Sequence, residues 1–529
     1  MTLRVLVTDD LSAEAIELLE AHPDVEFDVV KGLTPGGLAE RIPGYDGLII
    51  RSSVHASADV IAAGDRLRVI GRAGVGVDNV DLRAAMERGV IVMNTPGANT
   101  VATAEHTMAL LLALSRNIPQ SVASLRGGKW ERGRFKGIEL RSKTIGIVGL
   151  GRIGRRVARR CLGFGMEVIC YDPYLSDDRA QSMKVTRVSL DELLERSDFI
   201  TLHAALTPDT RGLIGRDALA KTKPEVRIIN TARGELIDEQ ALIDALQSGD
   251  VAGAALDVLG REPPDPANPL LHMDNVVVTP HLAASTDEAQ REVGIQIVGQ
   301  VIDALAGIDY RNAVNMPIVD GRVLRDLRPY LDMAERLGSL QTQLAEDAIT
   351  KVEIAIKGDL IDEHVESISV AILKGLLEPV MTQTVNYVNA PHVATERGIA
   401  VSRMSGFHTV DYPNIISCRV EWNGGRRTIA ATLFSHNEPR IVEVDGYRVD
   451  VIPEGTILVA VSHDEPGFIG TVATMLGSLQ INIATWRTGR SAPGGRALSF
   501  ISVDGDVPDE AMQALAATDP IESITRVHL

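Results

Sequence analysis

Short apolar runs rich in Val and Ile recur through the first half of the chain, at residues 4–8, 47–50, 68–71, 90–94, 144–149, 167–172, 199–203, 226–231 and 276–279, with stretches of helical period between them. A short run that is apolar throughout describes a strand covered on both faces, and strand–helix alternation describes parallel βαβ units. Two doubly wound α/β domains follow. The helical pattern ends at residues 307–317, and alternating strands at 351–357, 415–422 and 427–434 predict a region of different build. After Pro453-Glu454-Gly455 a last unit reads strand 456–462, helix 466–479, strand 481–488, strand 496–503, helix 508–517 and strand 521–527. With Ser491-Ala492-Pro493-Gly494-Gly495 as its hairpin turn, this is the ferredoxin-like βαββαβ order.

The strand at 144–149 runs into Gly149-Leu150-Gly151-Arg152-Ile153-Gly154 and then into a helix. In that context the glycines permit a tight turn and let a pyrophosphate approach the helix N-terminus, with Arg152 and Ile153 beside it. The next strand ends at Asp172, where a carboxylate accepts hydrogen bonds from ribose hydroxyls and repels a 2′-phosphate. The expected cofactor is therefore NAD rather than NADP.

Three segments follow later strands, where open α/β sheets place their ligands: Asn230-Thr231-Ala232-Arg233, Asp257 with Glu262, and Thr279-Pro280-His281 continuing to Ala284. Hydride removal from a 2-hydroxy acid needs a base for the hydroxyl proton, which His281 can supply. Glu262 can hold its tautomer, and the Arg233 guanidinium can grip a substrate carboxylate through two hydrogen bonds.

These segments resemble the signatures of the D-isomer-specific 2-hydroxyacid dehydrogenase family. The resemblance implies a catalytic set of Arg233, Glu262 and His281, with Asp257 near the nicotinamide carboxamide and Thr231, Ala232, Arg233, His281 and Ala284 also touching the cofactor. It implies a Rossmann-type nucleotide domain at 98–283 and a flavodoxin-like substrate domain split between 1–97 and 284–316. Arg51-Ser52-Ser53, the stretch from Gly71 to Asp81 and the one from Asn94 to Asn99 resemble the family's long-type members. Substrate contacts are then expected from Arg51, Ser52, Gly74, Val75 and Asn99, with Arg233 and His281. Two α+β regulatory domains follow in such members, an intervening domain at 317–453 and an ACT domain at 454–529, where Asp464 and Asn482 stand at effector positions.

The implied reaction is oxidation of 3-phospho-D-glycerate to 3-phosphooxypyruvate with NAD, the first step of L-serine biosynthesis, with L-serine as effector and a homotetramer as the assembly. Some relatives bring a Trp and a cationic residue into the neighbouring subunit's site; Trp130 and Arg132 stand there. The residues alone leave open another D-2-hydroxy acid, such as glycerate, glyoxylate/glycolate or lactate, and an NAD-sensing corepressor.

Composition excludes other classes. A net charge of −18 argues against a nucleic-acid partner, and aromatics at 4% leave little for base stacking. Cys161, Cys170 and Cys418 show no metal-ligand spacing, so no metal is expected and a reducing compartment is. No apolar stretch of membrane-spanning length and no signal-peptide pattern is read at the N-terminus, so the expectation is a cytoplasmic protein without a membrane partner.

Overall fold

The computed structural model describes residues 2–317, 321–358, 361–382, 384–405 and 412–529. Its first sheet has five parallel strands, in the order Val25–Val29, Leu3–Val7, Gly47–Ile50, Val69–Arg72 and Ile91–Met93. This is the flavodoxin-like order. One face is covered by local helices, and the other by the later helix Asp287–Leu305, whose Val293, Ile297, Val298 and Val301 pack on Val5, Ile49 and Val69. The fit is close: a Cβ on Gly71 would lie 2.5 Å from Val301.

The second sheet has seven parallel strands, ordered Val276–Val278, Val251–Leu256, Val226–Asn230, Phe199–Leu202, Thr144–Val148, Glu167–Tyr171 and Thr186–Arg187. The strand order reverses between Phe199–Leu202 and Thr144–Val148, which opens a crevice at their C-terminal ends. Helix Thr100–Arg116 lies on this sheet through Ala104, Met108, Leu111 and Leu114.

Three of these strands escape the sequence pattern. Val25–Val29 and Thr186–Arg187 are edge strands; the first alternates apolar with acidic residues instead of running apolar throughout, and the second is two exposed residues long. Val251–Leu256 is interior, but its small residues read as helix; Gly253 is needed there because a Cβ would meet Asn275 O at 2.7 Å.

Helix Asp287–Leu305 ends just ahead of 307–317, but the alternating strands expected beyond that point begin only at Ile349, because a further helix, Gly321–Leu344, comes first; it buries Leu324, Leu327, Leu331, Ala334, Leu337 and Leu344 at helical spacing and carries Pro329 in its interior. With Val365–Leu377 it covers a six-stranded sheet, in which Ile349–Lys357 and Ala400–Ser405 are parallel and the remaining strands antiparallel.

The last sheet runs Ile483–Arg490, Arg496–Val503, Thr456–His463, Ile521–His528, all antiparallel. One face packs its own two helices through Leu458, Ala460, Val472 and Leu515. The other is not free: Ile457, Val459, Leu498, Phe500 and Val527 join the core around helix Gly321–Leu344.

Candidate active site

The C-terminal ends of the two parallel sheets face each other across a cleft of 650 Å³. The first sheet supplies Arg51, Ser52, Arg72, Gly74, Val75 and Asp78, and the second supplies Arg233, Glu262, His281 and Ala284. Asn99, at the start of the helix that enters the second domain, lines it too, and its buried Oδ1 has no hydrogen-bond partner among the described residues.

His281 sits at φ +52 in the loop after Val276–Val278, with its N–H on Asp257 O at 2.9 Å. Its Nδ1 lies 2.7 Å from Glu262 Oε2. Burial alone would raise the Glu262 carboxyl, but hydrogen bonds from His281 and from the Leu259 N–H hold it below the ordinary glutamate range. An ionised partner makes Nδ1 the protonated nitrogen and leaves Nε2 to take a proton.

Arg233 is aimed by its own loop. Asn230 Oδ1 accepts from the Ala232 N–H at 3.0 Å while its Nδ2 donates to Arg233 O at 2.8 Å. The guanidinium donates through Nη1 to Ala232 O and through Nε to Asp78 Oδ2 at 3.0 Å, an ion pair across the cleft. Next to it, Gly234 passes the neighbouring loop so closely that a Cβ would lie 2.0 Å from the Leu259 carbonyl carbon. That loop leads to Glu262.

Sequence reasoning missed Arg72 and Asp78. Burial, together with the charge of Arg233, lowers the Arg72 guanidinium to about 10, with Asp78 pulling the other way, so it stays cationic at neutral pH. It donates to Ala73 O, and its Nε is buried without a partner. Its position at the end of strand Val69–Arg72 is the signal that could have found it. Arg51 donates to Asp10 O and to Gln290 Oε1 at 3.2 Å. Arg51, Arg72 and Arg233 thus open onto the cleft that holds His281.

At the glycine-rich turn, Gly149 adopts φ +89, and a Cβ on Gly154 would lie 2.2 Å from Gly149 O. Gly151 caps helix Arg152–Gly163 with open space beside it, room a pyrophosphate can use. Arg152 is exposed and reaches toward Gly97, and Ile153 packs inward. Asp172 accepts from Leu150 N–H at 2.9 Å and Tyr174 N–H at 3.0 Å, so it also holds the turn, and each oxygen keeps a lone pair for a ribose hydroxyl. These residues fit NAD. Thr231 Oγ1 is buried against Thr107 Oγ1 at 2.8 Å, below Ala232.

Asp257, expected at the nicotinamide, is 1% exposed, and its carboxylate is occupied by Thr279 Oγ1, the Leu282 and Ala283 N–H groups and His106. In this structure it braces the loop of His281.

Two expected groupings are not formed within one chain. Trp130 is 78% exposed and, like Arg132, lies outside the cleft lining. Asp464 pairs with Arg490 at 3.0 Å at one end of the last sheet, whereas Asn482 donates to Asp504 Oδ2 at 2.7 Å at the other. Strands Thr456–His463 and Ile483–Arg490 point the same way, so the end of one and the start of the other are apart. Among the described residues no group of His, Cys, Asp or Glu is arranged to hold a metal ion, and no helix is long and apolar enough to cross a membrane.

Residues 108–283 match the family model "D-isomer specific 2-hydroxyacid dehydrogenase, NAD binding domain", 326–445 match "D-3-phosphoglycerate dehydrogenase intervening domain", and 456–519 match "ACT domain". The chain is 42% identical over 529 residues to a D-3-phosphoglycerate dehydrogenase of Archaeoglobus fulgidus, with 100% of both chains covered. It is 45% identical over 527 residues to the protein of that name from Methanocaldococcus jannaschii, covering 99% of this chain and 100% of the relative. Among solved structures, a glyoxylate reductase from Paecilomyes thermophila matches at TM-score 0.55 and 31% identity, over 59% of this chain and 98% of that one. A D-lactate dehydrogenase from Aquifex aeolicus, complexed with NAD and lactic acid, matches at TM-score 0.52 and 28% identity, over 57% and 96%.

Proposed function

This chain belongs to the D-3-phosphoglycerate dehydrogenases of the D-isomer specific 2-hydroxyacid dehydrogenase family, NAD-dependent oxidoreductases, and from that premise we propose that it oxidises 3-phospho-D-glycerate to 3-phosphooxypyruvate, the entry to L-serine synthesis. The observation that carries the substrate is the set of three guanidiniums at one cleft. Lactate offers a single carboxylate to Arg233; a phosphorylated acid offers a second anion, which Arg51 and Arg72 suit.

His281 Nε2 takes the C2 hydroxyl proton as that C–O bond becomes a carbonyl, and Glu262 offsets the charge this puts on the ring. Bound NAD would supply the acceptor for the C2 hydride. Arg233 orients the carboxylate, and the turn of Gly149, Gly151 and Gly154 holds the pyrophosphate.

Steady-state turnover with NAD tests the substrate. The value of kcat/KM for 3-phospho-D-glycerate is expected to exceed that for D-glycerate or D-lactate by at least about 10²-fold, because the unphosphorylated acids leave half-buried Arg72, whose Nε has no partner, without an anion. Equal values would remove the phosphate from the reading. Cofactor choice has its own test. Asp172→Ala is expected to weaken NAD binding and narrow its advantage over NADP, and unchanged preference would move ribose selection to another residue.

We further propose a homo-oligomer, a tetramer, regulated by L-serine. Helix Ile118–Arg126 buries none of its residues and leaves Ile118, Val122 and Leu125 exposed near Trp130, an apolar stripe suited to a second copy. Pairing of the last sheets side by side would bring Asp464 of one copy toward Asn482 of another. Serine inhibits only by favouring a less active arrangement of subunits. Inhibition of the full chain, lost in Asp464→Ala with basal turnover unchanged, is the expected result; a wild-type protein insensitive to serine would sink it. Truncation near Pro453 is the poorer test, because it strips Ile457, Phe500 and Val527 from a shared core. The three free, buried cysteines support a cytoplasmic location.

A further inference from the structure

The chain passes between its first two sheets twice. Going out, residues 94–99 lead into helix Thr100–Arg116; coming back, residues 279–286 lead into helix Asp287–Leu305. The return segment carries His281, and both passages end on the same buried carboxylate. Asp257 Oδ1 accepts from Thr279 Oγ1 at 2.6 Å and from Leu282 N–H at 2.7 Å, while Oδ2 accepts from Ala283 N–H at 2.8 Å. From the outgoing helix, His106 Nε2 reaches Asp257 Oδ1 at 3.2 Å and Thr279 Oγ1 at 3.1 Å.

The donors and acceptors decide the tautomer. The Thr279 hydroxyl spends its hydrogen on Asp257, so His106 Nε2 faces a carboxylate oxygen and a hydroxyl lone pair. A bare nitrogen there would meet only acceptors, so Nε2 carries the proton and donates.

We infer that His106 is a positioning residue, which clamps the outgoing helix to the loop of the base and so fixes where His281 stands in the cleft; this rests on the reading of His281 as base. His106 does not line the cleft and touches no position a substrate would occupy. It acts only through Asp257 and Thr279. On the loop side the carboxylate grips residues on both flanks of His281, whose own N–H is held by Asp257 O. Removing the donor leaves the loop tied to Asp257 but frees that assembly from the helix.

The test compares His106→Leu, which fills the site without a donor, with His106→Gln, whose amide reaches about as far as Nε2. His106→Asn, too short to reach Asp257, repeats the Leu arm should the apolar variant fail to fold. The donor-less variants are expected to lose about 10- to 100-fold in kcat, with the dissociation constant of NADH within about two-fold of wild type. Amide hydrogen exchange at Leu282 and Ala283 should quicken in them. His106→Gln should restore both kcat and protection. Wild-type kcat and protection in a donor-less variant, or a Gln variant as impaired as Leu, overturns the proposal. Exchange needs no substrate, so it decides on His106 even if the wild-type protein fails to oxidise 3-phospho-D-glycerate, a result that would count against the site reading alone.

Discussion

Replacement of His281 by alanine is expected to lower kcat by about 10²–10⁴-fold, the usual cost of losing a positioned acid–base group, while NADH binds as before. The division of labour in the cleft gives the reason. The turn of Gly149, Gly151 and Gly154 and the Asp172 carboxylate lie at a different strand end from the loop of His281 and share no hydrogen bond with it. His281 has one nitrogen on Glu262, leaving the other for the cleft it lines, and among the described residues no other imidazole pairs with Glu262 there. His55 lines the same cleft, but on the substrate-domain side, without the Glu262 partner. The backbone at residue 281 lies in the left-handed region, so His281→Asn, which tolerates that conformation, serves as the control for loop geometry. Both variants should lose turnover together, measured as initial rate at saturating NAD and substrate with NADH affinity read by fluorescence. Near-wild-type turnover in either would take the proton-handling role away from His281.

Much of this site was legible because parallel sheets put their ligands at strand ends, and buried strands are conspicuous. Gly149, Asp172, Arg233 and His281 each lie within a few residues of an apolar run, so a strand reading finds them in order. What it does not find is contact between distant segments. Asp78 meets Arg233 across two domains, and His106 meets Asp257 from a helix face that reads as ordinary core pattern. Asp464 and Asn482 were named together through the resemblance to an ACT domain; only the sheet order shows that within one chain they sit at opposite ends. Helix Gly321–Leu344, which carries Pro329 in its interior, was not read from the pattern, and its role as a cover for two sheets depends on packing partners distant in sequence. The packing of the last sheet on helix Gly321–Leu344 was also beyond the sequence, because strand alternation looks the same whether the outer side meets water or a helix.

Arg233→Gln is expected to cost about 10²–10⁴-fold in kcat/KM for the substrate, the loss of two charge-assisted hydrogen bonds at about 1.5–3 kcal/mol each. Arg233→Lys should recover little of it. The native guanidinium does two things at once: Nε is tied to Asp78 and one Nη1 hydrogen to Ala232 O, which fixes the plane of the fork and leaves Nη2 and the second Nη1 hydrogen for the substrate. An ammonium is a point charge and cannot keep the tie while presenting a flat pair of donors. The loss also spreads to a neighbour. With Arg233 gone, Asp78 has lost its partner, and Arg72, whose charge Arg233 now disfavours and Asp78 favours, is a cation within its electrostatic reach. A carboxylate turned toward Arg72 competes there with the substrate, so the glutamine variant should lose more than Asp78→Asn, which keeps every guanidinium in the cleft. The measurement is kcat/KM for 3-phospho-D-glycerate in the three variants, with the KM for NAD as internal reference. Should Arg233→Gln retain more than about a tenth of wild-type kcat/KM, or should Asp78→Asn prove the more damaging change, the carboxylate is gripped elsewhere, and buried Arg72 is then the residue that holds it.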